Sequence, residues 1–264
     1  MAEPSNLVML ALATGIGIGL SLGLLGGGGS ILTVPALVYI LGQDVTTAAA
    51  TSLIVVGSNA LLGAGAHFRA HRVQWRTALV FGGAGLLGAL PGAKLNHVLP
   101  GTLILLLFAG VMMAAAILML RRRHAAEADR SSDCPTSRYC ITASVAGVAV
   151  GFMTGFFGVG GGFLIVPALA GALRFGMPRA VGTSLAIIAL NSASGLFGYL
   201  LFGNVHLGLA IPLVAGGAVG IALGATLAGR VPDKGLRRMF ALMLVVLALF
   251  LIAQNAPSVW RMWA

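Results

Sequence analysis

The chain contains an internal repeat, which is the strongest constraint on its fold. The segment at 23–37 aligns with the segment at 155–169 at an offset of 132 residues. The same offset, with no gap, also pairs Thr51 with Thr183, Ser52 with Ser184, Asn59 with Asn191 and Pro100 with Pro232. A match that keeps one register over this length does not arise by chance, so we predict two halves with the same series of elements.

Composition places both halves in a lipid bilayer. Of the 264 residues, 58% are hydrophobic and only 8% are charged, and the mean hydropathy is +1.01. Soluble domains carry about 25% charged residues. The sequence therefore predicts an all-α integral membrane protein with a first transmembrane repeat at 1–120, a cytoplasmic basic linker at 121–140 and a second repeat at 141–264. The net charge of +10 does not indicate nucleic-acid binding, because that needs a basic face on a soluble domain.

Each half has five apolar segments, and this odd number predicts opposite membrane orientations for the two halves. The segments lie at 7–25, 31–41, 46–66, 77–97 and 102–120, and at 141–155, 163–173, 178–201, 208–229 and 236–254. Cytoplasmic loops carry an excess of Lys and Arg. With the linker assigned to the cytoplasm, 14 of the 16 basic side chains lie inside, and only Lys94 and Arg261 lie outside. This count predicts two inverted-topology repeats with both termini outside; a parallel repeat of four spans per half is the alternative.

The second segment of each half is too short to cross a bilayer. The 11 residues at 31–41 make about 16 Å of helix, whereas the hydrocarbon core is about 30 Å thick. Glycine-rich runs precede both short segments: Gly26, Gly27, Gly28, Gly29 and Ser30 in the first half, and Gly158, Gly160, Gly161 and Gly162 in the second. Such runs break a helix, and the unpaired N–H groups of the helix that follows favour an anion.

Two readings of these glycines stay open at this point. They are predicted to form broken or re-entrant helices at a substrate site near the bilayer midplane, as in transporters with inverted repeats. The alternative is that they only allow close helix packing. The segments before Gly26 and Gly158 are long enough either to span fully or to form re-entrant hairpins.

Polar side chains on the third segments add candidate substrate ligands. Ser52, Asn59 and Gly63 share one helical stripe, because their spacings of seven and four residues correspond to nearly whole turns. The second half repeats the stripe with Ser184, Asn191 and Gly195. Thr51 lies at the edge of the first stripe and Thr183 at the edge of the second. Uncharged hydroxyl and amide donors suit the orientation of an oxyanion, although interhelical hydrogen bonds would use the same groups.

Acidic side chains are missing from the predicted spans. All six lie in loops or at segment ends, which disfavours cation transport and carboxylate-mediated proton coupling. Three histidines at the membrane interfaces could titrate, but they are expected to be ordinary surface residues: His67, His71 and His206. No serine has an evident buried histidine or acidic partner, so we predict no enzyme activity, no catalytic residue, no metal and no cofactor.

The glycine and proline motifs resemble those of the TauE/SafE family, the sulfite exporter family of bacterial inner-membrane permeases. In the first half the motifs are Gly23-Leu-Leu-Gly-Gly-Gly-Gly-Ser, Val34-Pro35-Ala36 and Ala50-Thr51-Ser52-Leu53. Their second copies are Gly155-Phe-Phe-Gly-Val-Gly-Gly-Gly, Val166-Pro167-Ala168 and Gly182-Thr183-Ser184-Leu185. The resemblance covers nearly the whole chain and implies export of small sulfur-containing or carboxylate anions, such as sulfite, sulfoacetate or related organosulfonates. Val159 stands where the first copy has Gly27, so the two halves need not bind alike.

These observations predict a secondary transporter that exports a small sulfur-containing anion across the bacterial inner membrane by alternating access. A passive anion channel or a membrane scaffold without transport is the alternative. The expected partners are the small anion and the lipid bilayer. A homodimer is also open, because a glycine-rich face could pack between subunits or within one: Gly82, Gly83, Gly85 and Gly88.

Overall fold

The computed structural model describes residues 4–43, 45–96, 101–121, 137–157, 162–202 and 207–263. Within these ranges the chain forms ten α-helices and no strand. The helices are α1 Pro4–Leu25, α2 Gly28–Pro35, α3 Val45–Arg69, α4 Trp75–Asn96, α5 Gly101–Arg121, α6 Ser137–Phe157, α7 Gly162–Gly171, α8 Met177–Phe202, α9 Leu207–Ala228 and α10 Asp233–Trp263. A π-helical turn, Ala36–Ile40, extends α2.

The length and surface of these helices are those of an integral membrane protein. Five segments in the described ranges are long and apolar enough to cross a bilayer: Asn6–Leu25, Thr51–Arg69, Tyr139–Phe157, Gly208–Ala228 and Asp233–Ala253. Large apolar side chains face outward, and Met9, Leu87 and Ile211 are 68%, 70% and 69% exposed. An apolar surface of this kind is stable when lipid covers it. The predicted all-α membrane fold is therefore confirmed at this level.

Two pairs of helices approach each other closely because one or both carry glycine at every fourth position. α1 packs along α9, and α4 packs along α6. In the first pair the glycines are Gly15, Gly19 and Gly23 of α1 with Gly216, Gly220 and Gly224 of α9. A Cβ atom on Gly23 would lie 2.7 Å from the Ile221 carbonyl oxygen, so backbone meets backbone there.

The glycine-rich face of α4 is used in part within the chain. A Cβ atom on Gly88 would lie 2.9 Å from the Phe152 amide nitrogen of α6, and one on Gly85 would lie 3.4 Å from the Gly147 carbonyl oxygen. These two glycines therefore serve packing inside one subunit.

The first two helices form a hairpin. α1 ends at Leu25, Gly26 turns the chain with a φ of +64°, and α2 begins at Gly28. α2 runs back beside α1, because a Cβ atom on Gly29 would lie 2.7 Å from the Ser21 hydroxyl oxygen. With 22 residues, or about 33 Å, α1 is long enough to cross a bilayer, whereas α2 has only eight residues.

The remaining contacts pair helices of the two halves and bring the two short helices together. α3 packs against α8, α5 packs against α10, and α2 contacts α7. α7 has ten residues, or about 15 Å of helix, so both second segments are short, as the sequence predicts.

Candidate functional site

The turn between α1 and α2 is bonded directly to α8. The Gly27 amide donates a hydrogen bond to Ser184 Oγ at 3.2 Å, and Ser184 Oγ in turn donates to the Val181 carbonyl at 2.7 Å. Both bonds are buried. Gly27 and Ser184 were both predicted as substrate ligands, from different motifs, and the structure places them in contact.

The glycines of the turn have little space around them. At Gly26 a Cβ atom would lie 2.6 Å from Ser184 Oγ and 3.0 Å from the Cα of Val181. At Gly28 it would lie 2.7 Å from the Phe240 ring. Close packing is therefore one function of the run, because nothing larger than hydrogen fits at these positions without movement.

The start of α2 is already hydrogen-bonded. The amides of Gly29 and Ser30 donate to the carbonyls of Gly26 and Gly27 at 3.1 Å and 3.3 Å, and the Ser30 hydroxyl donates to the Gly27 carbonyl at 2.7 Å. The amides of Gly27, Gly29 and Ser30, which were predicted to be unpaired, therefore all have acceptors. An anion that binds these amides must displace the acceptors that they now have.

The second glycine run meets the first. A Cβ atom on Gly162, at the start of α7, would lie 2.5 Å from Ser30 Oγ and 3.0 Å from the Gly27 carbonyl oxygen. Gly158, Gly160 and Gly161 lie outside the described residues. Gly27, Ser30, Gly162 and Ser184 thus form one buried junction of α2, α7 and α8, which we call the central junction.

A second group of polar atoms lies buried in α3. Thr51 and Asn59 are fully buried, and Ser52 is buried as well. Among the described residues, neither Thr51 Oγ1 nor the amide nitrogen or oxygen of Asn59 has a hydrogen-bond partner. Leaving such a group unpaired costs about 1–3 kcal/mol, so these atoms are expected to meet water or a ligand. The Asn59 amide lies against Gly217 of α9, at a point where a Cβ atom would overlap it.

The polar residues of α8 have different neighbours. Thr183 is fully buried, and its Oγ1 accepts a hydrogen bond from the Gln74 amide at 3.1 Å, which ties the α3–α4 loop to α8. Asn191 is half-buried with its Oδ1 near Gly82 of α4, and that oxygen has no hydrogen-bond partner in the described part of the chain. The residues of the predicted stripe on α8 therefore face different elements: Ser184 contacts the turn before α2, and Asn191 lies near α4.

Four buried polar residues of the described chain were not predicted as site residues: Thr33, His67, Thr77 and Ser192. Thr33 of α2 is fully buried, and His67 is only 1% exposed, with Nε2 at 3.4 Å from the Gly23 carbonyl oxygen. Within the described ranges, Thr33 Oγ1 and His67 Nδ1 have no hydrogen-bond partner. The prediction of a surface position for His67 is therefore wrong. In the described part of the chain, the imidazole contacts a backbone carbonyl and no serine hydroxyl, so this burial does not create a serine–histidine pair. The repeat did not mark Thr33 and His67 as site residues, because the second half has Ile165 and Tyr199 at the corresponding positions.

These features define a multi-pass helical membrane protein with polar groups buried at a helix break, an arrangement that transporters use. The chain belongs to the sulfite exporter TauE/SafE family, whose family model matches residues 11–251. The predicted family is therefore confirmed.

Relatives carry names of the same class. A "probable membrane transporter protein" of Xylella fastidiosa strain 9a5c is 36% identical over 247 residues, which is 92% of each chain. The probable membrane transporter protein YdhB of Bacillus subtilis is 28% identical over 88% of this chain and 94% of its own. A probable membrane transporter protein of Methanocaldococcus jannaschii is 28% identical over 87% of this chain and 89% of its own. No solved structure matches the chain significantly. The family and these relatives identify the chain as a membrane transporter.

Proposed function

We propose that this protein is a secondary transporter that exports a small sulfur-containing anion, such as sulfite, sulfoacetate or another organosulfonate, across the bacterial inner membrane. The observation that carries the proposal is the hydrogen bond from the Gly27 amide to Ser184 Oγ, which joins a helix break to a buried hydroxyl. The family name supplies the sulfur-containing class of substrate.

The chemistry of the central junction suits a weakly held oxyanion. An anion oxygen that enters at Gly27 would accept the amide hydrogen that Ser184 now accepts, and the serine hydroxyl would turn its hydrogen from the Val181 carbonyl to the anion. The Ser30 hydroxyl supplies a third donor beside them. Neutral donors hold an anion without the strong pairing of a buried cation, which favours its release.

The unpaired groups of α3 supply further donors for the same substrate class. Thr51 Oγ1 and Asn59 Nδ2 are buried donors for which the described residues offer no acceptor. We assign them, with Ser52, Thr183 and Asn191, to the lining of the anion pathway. A sulfonate would accept hydrogen bonds from Thr51 Oγ1 and Asn59 Nδ2 during its passage.

Alternating access in this proposal uses two inverted repeats with the basic linker in the cytoplasm and both termini outside. Under the 132-residue offset, α1 corresponds to α6 and α4 corresponds to α9. The α1–α9 and α4–α6 contacts are then counterparts of each other, whereas α3 faces its own counterpart α8, and α5 faces α10. Such exchange is the pattern that a twofold relation between two halves produces, and inverted and parallel repeats are both consistent with it.

The proposal is tested by ligand-induced stabilisation of the detergent-purified protein. We expect sulfoacetate or sulfite to raise Tm saturably, and sulfate and acetate to act less. Ser184→Ala removes a donor of the central junction and is expected to lose most of the shift. Ser192→Ala removes the same atom from a buried position of the same helix and serves as the control. An unchanged shift in Ser184→Ala would exclude the central junction as the binding site, and no shift with any sulfur-containing anion would count against the substrate class.

A further inference from the structure

A groove of about 440 Å³ lies between α5, α6 and α7. Its volume is within the range of small-molecule sites, which is about 300–1,000 Å³. Its described lining is apolar apart from one guanidinium, and it includes Val111 and Leu118 of α5, Met153 of α6, Pro167 and Gly171 of α7, and Arg237 of α10. We call this cavity the α7 groove.

Two aromatic rings occupy the place that corresponds to the α7 groove under the 132-residue offset. Tyr39 and Phe250 stack edge to face there, with ring centroids 6.2 Å apart. The 132-residue offset places Gly171 at the position of Tyr39 and pairs Phe250 with Leu118. Tyr39 and Phe250 thus have glycine and leucine as their counterparts, which leaves the α7 groove open.

Charge distinguishes the two halves in the same place. Arg237 lines the α7 groove, and the offset places a leucine, at 105, in the corresponding position of the first half. Arg237 lies four residues after the start of α10, about 6 Å along the helix, with Lys234 and Arg238 exposed at the same end. The site therefore has a long apolar part and a cationic end.

The groove opens on the outer surface of the bundle. Leu118, one of its walls, is 62% exposed, as are other large apolar side chains on the faces that lipid covers. A molecule from the bilayer that is apolar along most of its length and negatively charged at one end fits both parts of the groove.

We propose that the α7 groove binds an anionic phospholipid, with an acyl chain against α7 and the phosphate beside Arg237. Basic side chains at the cytoplasmic ends of membrane helices attract anionic headgroups. This lipid site is separate from the central junction, and it goes beyond the transport of a small anion.

The first test uses the full chain, purified in detergent and stripped of lipid. Phosphatidylglycerol is expected to raise Tm saturably, and phosphatidylcholine with the same acyl chains is expected to act much less. Arg237→Gln should raise the half-saturating phosphatidylglycerol concentration roughly five- to tenfold. Arg238→Gln, which removes the same charge from the next residue, should leave that concentration within about twofold because the side chain lies outside the groove.

A second variant fills the groove and leaves its charge in place. Leu118→Phe with Gly171→Tyr rebuilds the counterpart of the Tyr39–Phe250 pair, and a Cβ atom on Gly171 meets nothing within 4 Å. The double variant should keep its Tm without lipid and lose the phosphatidylglycerol shift. Equal shifts with both lipids in the unmodified protein, or a retained phosphatidylglycerol shift in the double variant, would overturn the proposal. Loss of a dimer in the double variant, with the lipid shift intact, would assign the groove to a second copy of the chain.

Discussion

At the residue scale, Gly26 is constrained by both its backbone conformation and the space around it. Its φ of +64° lies in the left-handed region, which costs other residues about 1–2 kcal/mol. A side chain there would also press on Ser184 and Val181. The turn between α1 and α2 therefore depends on glycine at this position for two separate reasons.

A pair of alanine substitutions separates these two costs. Gly42 has the same φ of +64°, but a Cβ atom on it meets nothing within 4 Å. We expect Gly42→Ala to cost only the conformational term, and Gly26→Ala to cost about 1–3 kcal/mol more because of overpacking. Thermal unfolding of the two variants in detergent measures the difference, and equal losses would show that the packing around Gly26 adjusts freely.

Asn59 allows stability and transport to be separated. Both polar atoms of its buried amide lack a hydrogen-bond partner in the described part of the chain. Asn59→Leu has a similar size and removes the unpaired groups, so Tm should stay the same or rise. Transport of a sulfonate in liposomes should fall at least about tenfold if the amide contacts the anion, since a hydrogen bond to a charged group contributes about 1.5–3 kcal/mol. A fall in Tm with normal transport would instead give Asn59 a purely structural role.

At the element scale, the glycines of α1 fix its distance from α9. Gly19 faces the Gly217 backbone, whereas Gly17 on the same helix has open space around its Cβ position. Overpacking costs about 1–3 kcal/mol, while alanine favours a helix over glycine by up to about 1 kcal/mol.

Matched substitutions on this helix test the packing. Gly19→Ala should lower Tm by several degrees, and Gly17→Ala should leave it unchanged or raise it slightly. A thermal scan of both variants is sufficient. Equal effects would mean that α1 and α9 do not meet through Gly19.

Sequence reasoning was sufficient for the helices but not for all of their side-chain partners. The apolar segments and the glycine run at 26–29 give the ten helices and the break before α2, because both signals are local along the chain. The hydrogen bond between Gly27 and Ser184 depends on how α8 crosses α2. The sequence therefore predicted Ser184 as a site residue but not that it contacts Gly27. His67 was expected at the surface at the end of α3. It is buried where α3 packs closely on α8, since a Cβ atom on Gly182 would lie 3.1 Å from that of His67.

At the scale of the whole molecule, the repeat predicts the sidedness of equivalent loops. Lys94 near the end of α4 and Lys234 near the start of α10 flank corresponding loops of the two halves, and both are exposed. An inverted repeat puts these loops on opposite sides of the membrane, whereas a parallel repeat puts them on the same side.

Cysteine labelling distinguishes the two topologies. In a background with Cys134 and Cys140 replaced by serine, Lys94→Cys should react with an impermeant maleimide in intact cells. Lys234→Cys should react only after lysis. Labelling of both residues under the same condition would support the parallel repeat and contradict the proposed topology.

The central claim is that the junction of Gly27 and Ser184 binds the exported anion, and counterflow in proteoliposomes tests it most directly. Vesicles loaded with unlabelled sulfoacetate should accumulate labelled sulfoacetate transiently through the unmodified protein. Ser184→Ala should reduce the initial rate by about tenfold or more, in keeping with the loss of a hydrogen bond to a charged ligand, whereas Ser192→Ala should retain it. Linear flux without counterflow would indicate a passive channel, and full counterflow in Ser184→Ala would contradict the account of the site.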